Sequence, residues 1–451
     1  MKGGYREIWG VAWPLLLSQA SFVVMQFSDR IMLSRYGSAE IEAALPSGLL
    51  AFTILCFFQA VASYAGTFTA QYTGAGDPVN AAKAGVQGIW IGVLGSLPLL
   101  ALIPAGCALI DCAGHPSGVA LLEKRYFRIL MAGGLVYPVN AALCGYFTGV
   151  LRTRIPFIAN LLSCVLNIFL NAVLIFGKFG FQARGIEGAA YATVLAEVAM
   201  LLFLSAVSIC DPGFRAARSC GRAVWLVPDF KMVGRILRFG APSGFKLVLD
   251  MGAYTVFTMV TGRFGEVAFA ASNIAMSINN LAFAPLLGFG MAAGTVVARY
   301  QGAREPAIAE RAGNRCLLMG FAYMMVVGLS FLVLARPYFS IFKPGGSTIP
   351  FPELFAYGRV MLLIMAAWGL FDTVNIVLEQ ALAGAGDTRF IMAYVFVTNW
   401  IVLMPGIVLL LFLGVGIVGL WIWFASYIAL ASAGLWFRWQ KGRWKTIRLI
   451  A

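Results

Sequence analysis

The sequence predicts an all-α membrane protein of twelve transmembrane helices, arranged as two parallel-repeat six-helix bundles. Three observations carry that reading. Of 451 residues, 61% are apolar and 12% charged, against about 45–50% and about 25% in soluble domains, so lipid is the solvent for most of the chain. Twelve stretches are long and apolar enough to cross a bilayer, which takes about 20 residues. The segment GTFTAQYTGAGDPVNAAKAG, Gly66 to Gly85, returns 228 residues later as GTVVARYQGAREPAIAERAG, Gly294 to Gly313, with half its positions identical. A repeat at about half the chain length marks a duplicated domain.

In chain order the spans fall at 8–34, 45–72, 86–112, 121–148, 155–177, 186–210, 239–263, 270–298, 312–339, 356–382, 390–413 and 416–437. The first six form an N-terminal bundle within 1–215, residues 216–238 a cytoplasmic linker, and the last six a C-terminal bundle within 239–451. The duplication extends through them. At the opening offset Pro14 meets Pro242, Arg35 meets Arg263 and Gly37 meets Gly265, so the first span matches the seventh. Gly149, Thr153 and Arg154 meet Gly384, Thr388 and Arg389, while Gly185, Ile186 and Gly188 meet Gly416, Ile417 and Gly419. Six spans per half is an even number, so both halves enter the membrane with the same polarity, a parallel repeat used by alternating-access transporters. The connecting stretch Asp211–Lys231, DPGFRAARSCGRAVWLVPDFK, combines proline and arginine with weak apolar periodicity. It reads as a connector on the lipid surface, with Trp225 against it. Met1–Arg6 is short and basic, but the span behind it is too long for a cleaved signal and lacks a small-residue cleavage site.

The chain carries a net charge of +14. Its Lys and Arg residues outside the spans favour the side holding both termini by about two to one, which places the termini in the cytoplasm. The charge is therefore a topology signal plus attraction to anionic membrane lipids, and nucleic-acid binding is excluded. Eight cysteines are scattered without a Cys-x-x-Cys pair and read as small hydrophobes, with no disulfide and no metal site among them. His115, the single histidine, reads as a solvated residue of an outer loop. A membrane-embedded enzyme would need a nucleophile, a metal or a histidine cluster, so an enzyme is not expected, and no cofactor beyond a coupling ion.

Five acids lie inside spans: Asp29, Glu197, Asp250, Asp372 and Glu379. A charge at a helix centre costs several kcal/mol, so each is a functional candidate. Asn167 and Asn171 are four residues apart and share a helix face, and Thr193 lies in the next span. One carboxylate, two amides and a hydroxyl are hard oxygen donors suited to an alkali cation. The carboxylate could carry a proton instead, or the amides could only join helices. Lys246 precedes Asp250 by one turn, so the two would pair in lipid. Asp372 and Glu379 are two turns apart on one face; they suit proton carriage or a structural ion-pair cluster. The 17 methionines and 14% aromatic residues suit a greasy, adaptable lining.

The chain resembles the multidrug and toxic compound extrusion (MATE) family along nearly its whole length. The stretches that carry the resemblance are the Pro14 helix ending in Ser28-Asp29, the turn from Gln71 to Asp77, Leu166 to Asn171, Gly188 to Thr193, Ala241-Pro242-Ser243 with Asp250, and Ala383 to Arg389. The resemblance implies two bundles forming a V-shaped central cleft, and efflux of drugs, often organic cations, in exchange for Na⁺ or H⁺. By position, Asp29 matches the family's first-helix acid, and Asn167, Asn171 and Thr193 match its partners. Asp250 matches a seventh-helix acid that is usually Glu, and Asp372 an acid in the tenth. Arg30 after Asp29, and Lys246 before Asp250, depart from the family pattern. With Glu379 they are candidates for substrate binding or gating.

The expected function is a cation-coupled antiporter of the inner (plasma) membrane, acting as a monomer, that exports amphipathic, cationic drugs or toxic small molecules. The alternative is a flippase or exporter of a lipid-linked precursor or metabolite. A flippase for a pyrophosphate-linked lipid would want a strongly basic cleft; the spans offer acids, with only Arg30 and Lys246 against them.

Overall fold

The computed structural model describes residues 2–219, 227–342 and 350–450. Trp225 and the middle of the connector lie outside the described residues. The remainder is helical, with twelve long helices: α1 Tyr5–Tyr36, α2 Ser38–Gly74, α3 Pro78–Ala101, α4 Ser117–Gly149, α5 Arg154–Leu174, α6 Gly185–Cys210, α7 Phe230–Thr261, α8 Glu266–Gly302, α9 Pro306–Val333, α10 Phe351–Ala385, α11 Thr388–Phe412 and α12 Ile417–Gln440. Eleven of them are long and apolar enough to cross a membrane. The exception is α7. It is 32 residues long, but Lys246 and Asp250 interrupt its apolar stretch. The expected third span, 86–112, is not one helix: α3 ends at Ala101 and a separate helix runs over Ile103–Cys112, with Pro104 at its start. Proline lacks the N–H that would continue the first helix.

Helix starts follow local chemistry. Asp77 accepts the Asn80 backbone N–H at 2.9 Å and Pro78 fills the first position of α3, two standard stabilisers of a helix N-terminus. Asp229 caps α7, accepting the backbone N–H groups of Lys231 at 3.0 Å and Met232 at 3.2 Å. Its own backbone N–H donates to Gln87 of α3 at 2.9 Å, which ties the end of the connector to α3.

The repeated motif owes its glycines to close packing. A Cβ on Gly66 of α2 would lie 2.5 Å from the Gly145 carbonyl of α4, and one on Gly149 would lie 2.6 Å from the Gly66 carbonyl. In the second half Gly294 of α8 meets the Gln380 carbonyl of α10, and Gly384 meets the Gly294 carbonyl. Small residues let helix backbones approach this closely. The ends of the two copies also touch each other. Gly74 packs on the carbonyl of Arg299, and Gly302 on the carbonyl of Gln71. Arg299 is the repeat of Gln71 and Gly302 the repeat of Gly74, so the contact is reciprocal.

Contacts in space group the residues into two compact units. One holds Met1–Leu16, Leu249–Val297 and Glu305–Arg448; the other holds Leu17–Val248, Ala298–Arg304 and Leu449–Ala451. The reciprocal glycine contact falls within the second. In the first, the core is aromatic: Trp368 stacks on Trp421 at 5.5 Å and Phe257 packs on Phe424 at 4.2 Å. In the second, Phe127, Tyr146, Phe147 and Phe214 are fully buried.

Candidate ion and substrate sites

Helix α5 places Asn167 and Asn171 on one face, and both are fully buried. Asn171 Nδ2 donates to the carboxylate of Asp29, late in α1, and to Asn167 Oδ1 at 2.9 Å. Asn167 Nδ2 donates to Thr193 Oγ1 of α6 at 3.3 Å, and that hydroxyl donates to the Ala189 carbonyl at 2.9 Å. The four residues singled out in the sequence therefore meet as one chain of hydrogen bonds across three helices. Asn171 Oδ1 is buried with no hydrogen-bond partner. A buried acceptor left unsatisfied costs about 1–3 kcal/mol, and its presence beside a carboxylate suits a bound cation or a proton. Arg30 follows on the exposed side of α1 and acts electrostatically on Asp29.

The second half holds a different carboxylate–amide pair. Asp250 of α7 accepts Asn399 Nδ2 at 2.9 Å, and Tyr427 of α12 donates its hydroxyl to Asn399 Oδ1. Asn399 sits in a π-helical stretch, Val397–Leu403, just before Pro405 in α11. Proline removes one N–H from the ladder, and such a wide turn is a recurrent feature of functional sites. Lys246, Asp372 and Glu379 are half-buried and each engages partners of its own.

Asn399 and Tyr427 were not singled out in the sequence. Both are neutral, so neither carries the cost that marks a charge in a span, and the repeat gives no signal for Asn399, because α11 follows α5 at an offset of 235 and puts Gly406 at the place of Asn171. Also missed were two ion pairs at helix ends. Asp211 accepts Arg152 Nη1 at 2.6 Å and the Tyr146 hydroxyl at 2.7 Å. Asp387 accepts Arg438 Nε at 2.8 Å and Nη2 at 3.1 Å. His115 requires a correction. It is not simply solvated: its Nδ1 lies 2.9 Å from Oε1 of Glu123, a residue 1% exposed. A buried carboxylate needs a partner, and the loop histidine is within reach.

Among the described residues no group of three or more His, Cys, Asp or Glu side chains is placed to hold a metal ion. The Asp29 chain has one acid and otherwise amide and hydroxyl oxygens, a donor set for an alkali cation rather than a transition metal.

Comparison with known proteins adds three findings. The MatE family model matches residues 14–173 and 242–409, two segments that begin at the repeated prolines Pro14 and Pro242. A probable multidrug resistance protein NorM from Bradyrhizobium diazoefficiens is 28% identical over 420 residues, spanning 92% of this chain and 88% of that protein. Its counterpart from Pseudomonas aeruginosa is 27% identical over 450 residues, 99% of this chain and 90% of that protein. Among solved structures, an outward-facing multidrug resistance MATE transporter of the MOP superfamily has a TM-score of 0.86 at 20% identity, over 98% of this chain and 96% of that one. A MOP superfamily transporter from Pyrococcus furiosus has a TM-score of 0.85 at 20% identity, over 98% and 97%.

Proposed function

This chain belongs to the MatE family, and from that premise we propose that it is a multidrug efflux antiporter that exports amphipathic, cationic small molecules in exchange for Na⁺ or H⁺. The observation that carries the reading is the buried chain Asp29–Asn171–Asn167–Thr193 with its unsatisfied Asn171 Oδ1. A single carboxylate there takes one positive charge at a time. Coupling ion and organic cation then compete for it directly, or the ion reshapes the helices that the substrate contacts. In either case occupation by one lowers affinity for the other, the reciprocity that coupled exchange requires.

In this reading the bundles 1–215 and 239–451 alternate access to a central cleft, joined by the linker 216–238. The protein sits in the inner membrane as a monomer with both termini cytoplasmic, as the Lys and Arg bias supports. Asp250 and Asp372 form a second coupling group, with Lys246, Glu379 and Arg30 tuning substrate entry. Lys246, one turn before Asp250, supplies a positive charge that leaves the C-terminal half without need of a metal ion.

Everted membrane vesicles test this. Efflux of cationic dyes such as ethidium should follow an imposed pH gradient or an imposed Na⁺ gradient. Dye movement indifferent to both would defeat the coupling, and no dye movement at all would defeat the substrate class.

A further inference from the structure

Glu197 is the one membrane acid that the sites above do not use. It lies one turn after Thr193 on α6 and so shares the face that meets Asn167. Its partner is Asn140 of α4. Asn140 Nδ2 donates to Glu197 Oε2 at 2.7 Å and to the Glu197 backbone carbonyl at 3.0 Å. Asn140 is 3% exposed, and its Oδ1 has no hydrogen-bond partner. Among the described residues no salt bridge reaches Glu197. The titratable groups on which Glu197 acts electrostatically are Tyr137 and Cys144 of α4, and Tyr126 and Asp29 act on Tyr137 as well. The facing part of α5 brings amides and Cys164, which responds to Asp29. None of these is a cation.

A carboxylate here would therefore be a half-buried charge inside a membrane span with a single amide donor, beside an amide oxygen that lacks one. Both deficits have the same remedy. A carboxylic acid and a primary amide form a paired ring: amide N–H to one acid oxygen, acid O–H to the amide oxygen. The first bond is in place, and the acid proton is the donor that Asn140 Oδ1 lacks. The Asp29–Asn171 pair repeats the pattern, with the amide N–H given and the amide oxygen unsatisfied.

We propose that Glu197, paired with Asn140, is a second proton-carrying carboxyl of the N-terminal half, protonated in this conformation and ionised when an organic cation takes the proton's place. In that step the Glu197 O–H bond breaks, water accepts the proton as hydronium, and the carboxylate left behind neutralises the incoming cation. No electrons are exchanged. The inference rests on the antiport reading and adds to it a second acid, on α6 rather than α1.

The test uses full-length protein in proteoliposomes loaded with pyranine, with ethidium as substrate. Glu197→Gln keeps the shape and completes the ring with its own amide, so it should fold like wild type by circular dichroism and thermal unfolding. The proton release that accompanies ethidium exchange should fall, because one of the exchanging acids no longer titrates, and the pH profile of exchange should flatten. Infrared difference spectra without ethidium should show a carboxylic-acid C=O band in wild type that is lost in Glu197→Gln. Unchanged proton release and pH profile, or a carboxylate band at Glu197 in the absence of ethidium, would reduce Glu197 to a tie between α4 and α6. Wild-type protein that exchanges ethidium for Na⁺ with no proton release overturns this inference and leaves the efflux reading intact. Protein that does not move ethidium defeats the substrate assignment, and the infrared band still decides the state of Glu197.

Discussion

The two halves place their carboxylate–amide pairs on equivalent helices at different positions of the repeat. In the first half Asp29 of α1 meets Asn171 of α5; in the second Asp250 of α7 meets Asn399 of α11. Helix α7 repeats α1 at an offset of 228, so the position equivalent to Asp29 is Phe257. Helix α11 repeats α5 at an offset of 235, as Arg154 and Arg389 show, so the position equivalent to Asn171 is Gly406. By the offset that aligns Gly188 with Gly419, Thr193 corresponds to Phe424. Where the first half has a polar chain, the second has Phe257 packed on Phe424 at 4.2 Å and Gly406 against Trp423. Asp250 and Asn399 each stand seven residues earlier than the repeat would place them. Seven residues are two turns, roughly 10 Å of helix rise. The duplication kept the helix pairing and moved the charge two turns along the helix within the repeat.

The helix-end ion pairs differ in another way. Arg152 and Asp387 are equivalent by offset, and the charges are exchanged: the first half pairs Arg152 with Asp211, the second Asp387 with Arg438. Both halves thus hold an ion pair at this place, with the signs exchanged.

The largest effect should come from breaking the inequality of the two acids. Asp29→Asn should reduce gradient-driven ethidium efflux to the level of empty vesicles while leaving folding nearly intact. Asp250→Asn should lower it less. Equal losses from the two variants at equal expression would make the halves functionally alike and cancel the distinction drawn from the repeat.

Lys246→Ala comes next. Without the ammonium one turn away, the C-terminal half loses the positive charge that accompanies Asp250, and ethidium efflux should fall to an intermediate level. The double variant with Asp250→Asn should fall no further than Asp250→Asn alone. Wild-type efflux from Lys246→Ala would make the lysine a snorkelling residue.

A smaller effect tests the reciprocal contact. Gly74→Val and Gly302→Val each push a side chain into the facing carbonyl, and overpacking of this kind costs about 1–3 kcal/mol. The two losses, read from thermal unfolding in detergent, should be similar because Gly74 faces Arg299 and Gly302 faces Gln71, the residue that Arg299 repeats. A large loss from only one would mean that the contact is not shared equally.

The smallest effects concern left-handed turns that glycine occupies in one half and a larger residue in the other. Gly76 at φ 76° is matched by Arg304 at φ 59°, and Gly386 at φ 99° by Leu151 at φ 62°. A side chain in that conformation costs about 1–2 kcal/mol. Arg304→Gly and Leu151→Gly should each raise the unfolding midpoint slightly, whereas Gly76→Ala and Gly386→Ala should lower it. No gain from the first two would show that their side chains are held by contacts that offset the strain.

The sequence alone determined most of the helices, the duplication and the candidate members of the Asp29 cluster. These depend on local quantities. Apolar run length decides whether a segment can cross a bilayer, and residues four apart share a helix face whatever surrounds them. The repeat also announced itself through identical residues such as Gly66 and Gly294. Tertiary structure alone decided why those glycines are there, since only packing brings Gly66 onto Gly145 and Gly74 onto Arg299. It alone paired Asn140 with Glu197, Asn399 with Asp250 and His115 with Glu123. A neutral amide in an apolar helix carries no sign of its partner in the chain. Its significance comes from the desolvated acid that another helix sets beside it, and the cost of leaving either unsatisfied exists only once water has been excluded.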